Sequence, residues 1–400
     1  MKPKIRFKEF KEEWRNLQFS CVVERASTSG QAGKLPGIEF EDIVSGEGYL
    51  KKGYLQKKCK KHGKLFHEGD ILFGKLRPYL KNIILANFKG VAIGDFWILR
   101  SASLDNKYLY TLVNTDIFMK VANISSGSKM PRADWNLVSS SIFNVPSNIK
   151  EQRAIGKFFT SLDSEISTST ARLTSLKQIK AASLQAMFPQ KGETMPKVRF
   201  KGFEGEWENA VIGEIGQTYS GLSGKVKEDF GIGESRYITF LNVLTNPQID
   251  INKFERVSVK ESEHQNKVQK GDLFFNTSSE IPEEVGMCSV LEKEVNNVYL
   301  NSFCFGFRLN DNNIYPSYIA YLMRSDIGRH TMAILAQGAT RYNLSKNNFC
   351  KIEIPVPTNI REQQTIADFF TNLDHQISLH AKRLEKLKHI KAACLEKMFV

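Results

Sequence analysis

Residues 149–188 and 360–399 of this chain are one segment written twice. Ile149-Lys-Glu-Gln-Arg-Ala-Ile-Gly-Lys-Phe-Phe159 aligns with Ile360-Arg-Glu-Gln-Gln-Thr-Ile-Ala-Asp-Phe-Phe370. The match runs without a gap to Met187-Phe188 and Met398-Phe399, at a fixed offset of 211, with 22 of 40 pairs identical. Similarity of that length marks an internal duplication. A second repeat precedes each copy: Pro3-Lys-Ile-Arg-Phe-Lys-Glu-Phe10, ending at Trp14, aligns with Pro196-Lys-Val-Arg-Phe-Lys-Gly-Phe203, ending at Trp207, at an offset of 193. The regions between these motifs show little similarity. Two like frames carrying two unlike cargoes imply one task performed on two different targets.

The duplicated segments have helical character. Residues 151–188 hold one glycine, Gly156, and no proline, and residues 361–400 hold neither. Apolar residues recur at Ile155, Phe159, Leu162, Ile166, Leu173 and Leu176, and again at Ile366, Phe370, Leu373, Ile377, Leu384 and Leu387. Spacings of four and three make this the seam of a coiled coil. Asn148 with Glu151, and Asn359 with Glu362, stand where an N-cap and its reciprocal acid belong. A helix of about 37 residues is roughly 55 Å long and needs a partner along its apolar stripe. The two copies are expected to pair antiparallel.

Both intervening regions read as mixed α/β. Strands are expected at 70–73, 96–99 and 142–145, and at 237–241, 272–275 and 303–307; helices are expected at 106–121 and 316–329. Each region has a Gly-Asp turn before an apolar strand, at Gly69-Asp70 and Gly271-Asp272. Each has a polar glycine loop before its long helix, at 125–132 and 337–343, and Gly127 and Gly338 again differ by 211. The expected fold class is therefore α/β: two mixed α/β domains separated by two long helices in an antiparallel coiled coil, with a pseudo-two-fold internal repeat. The expected boundaries are 1–148, 149–188, 189–359 and 360–400.

Net charge is +13, which suits a polyanionic partner. It is unevenly spread. Residues 15–148 carry 19 Lys/Arg against 11 Asp/Glu, whereas residues 208–359 carry 15 against 18. If both regions grip the same polymer, the second must do so with a local surface. Candidate contacts are Lys75, Arg77 and Tyr79 after a strand; Ser128, Lys129 and Arg132 in the first glycine loop; Thr340, Arg341, Tyr342 and Asn343 in the second; and Lys225. Forked guanidinium and amide groups suit base edges and phosphates, while a solvated turn is the plainer alternative for any one loop. Seven lysines between Lys51 and Lys64, interleaved with Tyr49 and Tyr54, are either a phosphate-facing hairpin or a solvated one.

Catalytic patterns are not found. Gly221-Leu-Ser-Gly224-Lys225 has the wrong spacing for a phosphate-binding loop, and no Asn/Asp-Pro-Pro-aromatic motif occurs. Cys59-x-x-His62 with His67 lacks a fourth metal ligand. The six scattered cysteines read as reduced thiols of a cytoplasmic protein. No apolar run is long enough to span a bilayer, and the charged N-terminus has no signal-peptide core.

With its tryptophan motifs, Gly-Asp strands, glycine loops and the Glu-Gln…Ile…Phe-Phe…Leu-Asp…Ile helices at 151–166 and 362–377, the chain resembles the specificity subunit of a type I restriction–modification system over almost its full length. The first copy departs from the pattern at Ser147, where the second has Pro357 beyond Pro355. The resemblance implies two target recognition domains, each reading one half of a bipartite, asymmetric site in double-stranded DNA. It implies helices that set the spacer and hold two methyltransferase subunits, with Phe158, Phe159, Leu162, Ile166, Phe369, Phe370, Leu373 and Ile377 as candidate partner-binding residues. S-adenosylmethionine would sit on those subunits, and ATP with magnesium on two restriction/translocase subunits. The chain itself would catalyse nothing and bind no cofactor. A coiled-coil adaptor that joins two proteins without touching DNA is the competing reading, and a stand-alone nuclease a third.

Overall fold

The structure, a computed structural model, describes residues 2–31, 35–51, 53–54, 61–124, 130–310, 312–338 and 340–400. The chain forms two compact units, Met1–Leu173 with Leu379–Val400, and Thr174–Ser378. Each is a mixed α/β domain, and the two long helices, Ile149–Ala186 and Ile360–Lys397, contribute residues to both.

In the first unit a four-stranded antiparallel sheet runs Glu24–Ala26, Phe96–Arg100, Ile71–Gly74, Ile83–Leu85. A second sheet runs Ser29–Gln31, His62–Phe66, Gly90–Ala92, Gly37–Ile38, its last pair parallel. The second unit repeats the first sheet as Gly216–Ser220, Cys304–Leu309, Leu273–Asn276, Cys288–Val290, again antiparallel. Its other sheet has three strands, Glu255–Val257, Phe230–Ile238 and Val298–Leu300. Each unit closes with one strand pair that leads into a long helix: Trp14 opposite Pro146, and Glu208 opposite Val356. The sheet centres are fully buried at Ile71, Leu72 and Phe73 and at Leu273, Phe274 and Phe275, the two-sided burial that continuous apolar strands require.

Several sequence expectations shift. The run 237–241 ends as a strand at Ile238, because Thr239 accepts a hydrogen bond from Asn242 N–H and caps the helix Phe240–Thr245. The expected helix 106–121 is broken at Thr115, which caps Asp116–Ala122, and 316–329 is broken by a second cap, Ser325. Phe303 lies in a turn ahead of the strand Cys304–Leu309, and its side chain is exposed.

The duplication extends to individual hydrogen bonds. Asn148 and Asn359 do cap their helices, accepting from Lys150 N–H and Arg361 N–H. Glu151 and Glu362 do not complete a capping box. Glu151 is fully buried and receives Arg6 Nε and Nη2 at 2.6 and 2.7 Å and Trp14 Nε1 at 3.1 Å. Glu362 receives Arg199 Nε and Nη2 at 2.6 and 2.8 Å. These bonds hold both guanidiniums above their usual basicity. The adjacent glutamines bridge strand end to helix start. Gln152 donates to Pro146 O and accepts from Asp105 N–H, and Gln363 donates to Pro357 O and accepts from Tyr315 N–H. Gly156 is the first helix's single glycine because a Cβ there would lie 2.5 Å from Tyr108 N.

The long helices pack together antiparallel. In the first unit Asp163 meets Lys391 at 2.6 Å and Glu165 meets Arg383 at 3.0 Å; in the second, Asp374 meets Lys180. Asp163–Lys391 and Asp374–Lys180 are the same pair in the two copies. Phe159, Phe370, Ile166 and Leu373 are buried in the chain's own cores. Phe399 packs on Trp14, Tyr108 and Phe159 in the first unit, and Phe188 packs on Tyr318 and Phe370 in the second.

Candidate nucleic-acid interface

Both units build the same surface edge from distant pieces of chain. In the first, Lys75 follows the strand Ile71–Gly74. Its N–H donates to Asp95 O at 2.9 Å, and its carbonyl accepts from Ala133 N–H at 2.9 Å. Leu76 forms a β-bridge with Arg132, and Arg77 N–H donates to Pro131 O. The strand end and Pro131–Arg132, separate candidates in the sequence, thus lie side by side. In the second unit Ser278 and Ser279 pair with Asn343 and Tyr342, and Leu344 N–H donates to Thr277 O. Arg132 and Asn343 differ by 211 and hold the same place.

The first edge is ionic. Lys75 Nζ lies 3.3 Å from Asp95 Oδ1, and Arg132 Nε lies 3.0 Å from Asp95 Oδ2. Desolvation pushes the Asp95 carboxyl up, but the two cations outweigh it and hold it below its usual value. The Arg132 side chain remains 56% exposed. Arg77 is exposed and left-handed, with φ 49° and ψ 62°, a conformation that L-residues adopt at some cost and that recurs at functional loops. Tyr79 beside it is 54% exposed.

The second edge is less charged. Thr340, Arg341 and Asn343 are exposed and Tyr342 half-buried, and Arg341 has no ion pair among the described residues. Gly338, with φ of 148°, sits where a Cβ would lie 2.0 Å from Arg341 O, so the loop's path needs a glycine. Ser128 and Lys129, like most of the 51–64 lysine cluster and Cys59, lie outside the described residues.

Lys225 forms an ion pair within the second unit. Its side chain is only 5% exposed and its ammonium lies 2.5 Å from Glu263, so it serves an internal ion pair. Other cations of this unit are also committed. Arg308 binds Asp272, just as Arg100 binds Asp70. Arg324 donates to the carbonyls of Cys288, Val243 and Asn246, and burial pulls its guanidinium down to about 10. Arg329 donates to the carbonyls of Glu283, Gly286 and Met323. The sequence did not single out these arginines, because nothing local distinguishes a carbonyl-binding arginine from a phosphate-binding one.

The helix residues divide likewise. Phe158 and Phe369 are half-buried against Phe7 and Phe200, Leu162 and Ile377 are half-buried, and the other four are inside. The large apolar side chains that the long helices leave exposed are Ile149, Ile179, Leu379 and Ile390, of which Ile179 and Ile390 are equivalent. Among the described residues no group of His, Cys, Asp and Glu is placed to hold a metal ion, and no helix is long and apolar enough to cross a membrane.

Comparison with known proteins gives a consistent picture. The family profile described as type I restriction modification DNA specificity domain matches residues 204–389. A putative type I restriction enzyme MjaX specificity subunit of Methanocaldococcus jannaschii is 26% identical over 214 residues, 52% of this chain and 49% of that protein. The type I restriction enzyme StySPI specificity subunit of Salmonella potsdam is 26% identical over 189 residues, 46% of this chain and 40% of that protein. The chain thus spans about half or less of the length of these curated relatives. A crystal structure of the type I restriction–modification S subunit from M. genitalium aligns over 100% of this chain and 99% of its own, with TM-score 0.64 and 15% identity. A chain from a solved type I R-M system aligns over 98% of both, with TM-score 0.51 and 17% identity. At these identities the structural likeness is one of fold.

Proposed function

Since the chain belongs to the family of type I restriction–modification specificity (S) subunits, we propose that it reads a bipartite, asymmetric sequence in double-stranded DNA, one half with each α/β domain. The observation that carries this reading is the doubled edge: Lys75–Arg77 against Arg132 in one domain, Ser278–Ser279 against Tyr342–Asn343 in the other, on identical backbone hydrogen bonds. Backbone identity with side-chain difference is what two readers of two sequences need, since phosphate contacts position and base-edge contacts specify. The long helices are the fixed spacer between the readers. They are also the docking frame for two methyltransferase subunits that carry S-adenosylmethionine, and two restriction/translocase subunits with ATP and magnesium complete the assembly. The buried faces of Phe159 and Phe370 brace the frame, and a partner would meet exposed residues such as Ile179 and Ile390. This chain would be the non-catalytic member.

Replacing residues 15–148 by the corresponding domain of a relative is expected to change one half of the methylated motif and leave the other half and the spacer intact. Sequencing methylated bases in host DNA reads this directly. A change in both halves argues against independent readers. No protected DNA in the assembled complex argues for a protein–protein adaptor instead.

Arg341→Ala tests the second edge. If Arg341 contacts a base, the variant should lose about 1–3 kcal/mol and relax one position of one half-site. If it grips phosphate, binding should weaken evenly across sequences and the salt slope should fall by about one. Unaltered binding by the complex would remove Arg341 from the interface.

A further inference from the structure

The backbone register of the two edges assigns a partner to a residue that the sequence places in the core. Lys75 N–H donates to Asp95 O in the first domain, and Thr277 N–H donates to Phe303 O at 3.0 Å in the second. Asp95 and Phe303 each directly precede the central strand, Phe96–Arg100 or Cys304–Leu309. They are the same structural position. The position lies beside Lys75 and Arg132 in one domain, and in the other it belongs to the edge formed by Thr277 and Asn343.

The side chains there differ in kind. In the first domain an acid holds two cations. In the second, a phenyl ring is 57% exposed next to Thr277, whose hydroxyl donates to Phe303 O, on the edge where Ser278 pairs with Asn343. A single exposed apolar residue is ordinary. The backbone beneath this one is not loose. Phe303 N–H donates to the buried Asn301 Oδ1 at 2.9 Å, and Phe303 O accepts both Thr277 N–H and Thr277 Oγ1. Three hydrogen bonds fix the turn and leave the ring facing solvent.

The geometry points to Phe303, with Asn343, as a specificity-determining contact of the second domain, occupying the position that Asp95 holds between Lys75 and Arg132 in the first. This rests on the DNA-reading function proposed above. The chemistry divides the targets. Cations oriented by a carboxylate match the paired acceptors of guanine, O6 and N7. The Asn343 amide donates one N–H to Arg341 O at 3.2 Å and keeps a second N–H and its Oδ1, which match adenine N7 and N6–H, and an exposed ring offers apolar contact to a thymine methyl. The first domain is thereby assigned a guanine-bearing half-site and the second a half-site whose contacted step is A·T.

The test uses the full chain assembled with its methyltransferase partner, reading the methylated motif in host DNA and the affinity for a duplex bearing the wild-type motif. Phe303→Ala should relax discrimination at an A·T position of one half-site by roughly tenfold and leave the other half unchanged. Phe303→Leu, which keeps an apolar contact, should retain most of the preference. Asp95→Ala should affect only the opposite half. The unaffected half reports folding within the same molecule. An unchanged motif and affinity in Phe303→Ala, or equal losses in both halves, would overturn the assignment of Phe303. A wild-type complex without a sequence-specific footprint would overturn the DNA-reading function itself.

Discussion

Phe399→Ala is expected to destabilise the first unit by about 3–5 kcal/mol, the usual cost of emptying a buried aromatic site. The residue stands one position from the last residue of the sequence, where side chains are often dispensable, yet only 4% of it is exposed. Its ring lies 5.9 Å from that of Tyr108, 6.1 Å from that of Phe159 and 6.3 Å from that of Trp14. Truncation would leave a cavity among three rings that are themselves held by the sheet and the helix start. Urea unfolding followed by tryptophan emission measures the change, because Trp14, Trp97 and Trp135 all report on this unit. Leu379→Ala, at a half-exposed helix position, is the control and should stay within about 0.5 kcal/mol of wild type. An unshifted midpoint in Phe399→Ala would mean that the helix end is not part of the core.

Glu151→Ala should cost about 3–5 kcal/mol, because it leaves the Arg6 guanidinium largely buried without its partner. Glu362→Ala should cost the same unit-for-unit, less the contribution of one hydrogen bond. Trp14 Nε1 donates to Glu151, whereas Trp207 Nε1 is buried with no partner among the described residues. Removing Glu151 therefore orphans an indole donor as well, which accounts for about 1–3 kcal/mol of that loss. Restoring apolar balance with Arg6→Met and Glu151→Leu together should recover much of the stability, since a buried ion pair is often no better than well-packed apolar side chains. Equal losses at the two glutamates, measured by thermal or urea unfolding, would show that the tryptophan bond contributes little.

The frame of this protein was legible in its residues. The 211 offset identified the duplicated helices, the spacing of Ile155, Phe159 and Ile166 gave their inward faces, and Asn148 and Asn359 marked their starts. Those signals survive because helical periodicity and capping depend on residues a few positions apart. The reading failed where a local pattern had two meanings. Glu151 has the spacing of a capping acid, but Arg6, 145 residues earlier in the chain, engages it instead. Phe303 reads as the first residue of an apolar strand, and lies in a turn outside it.

The sequence by itself determined that two like frames carry two unlike domains, since repetition and periodicity are properties of order along the chain. Only the tertiary structure decided which side chains share an edge. Lys75, Asp95 and Arg132 are brought together by pairing between strands and loops far apart in the chain, as are Thr277, Phe303 and Asn343. Such pairing is fixed by which apolar faces must be buried and which backbone groups must be satisfied across the whole domain. No local window holds that information, so the frame could be read in advance and the shared edge could not.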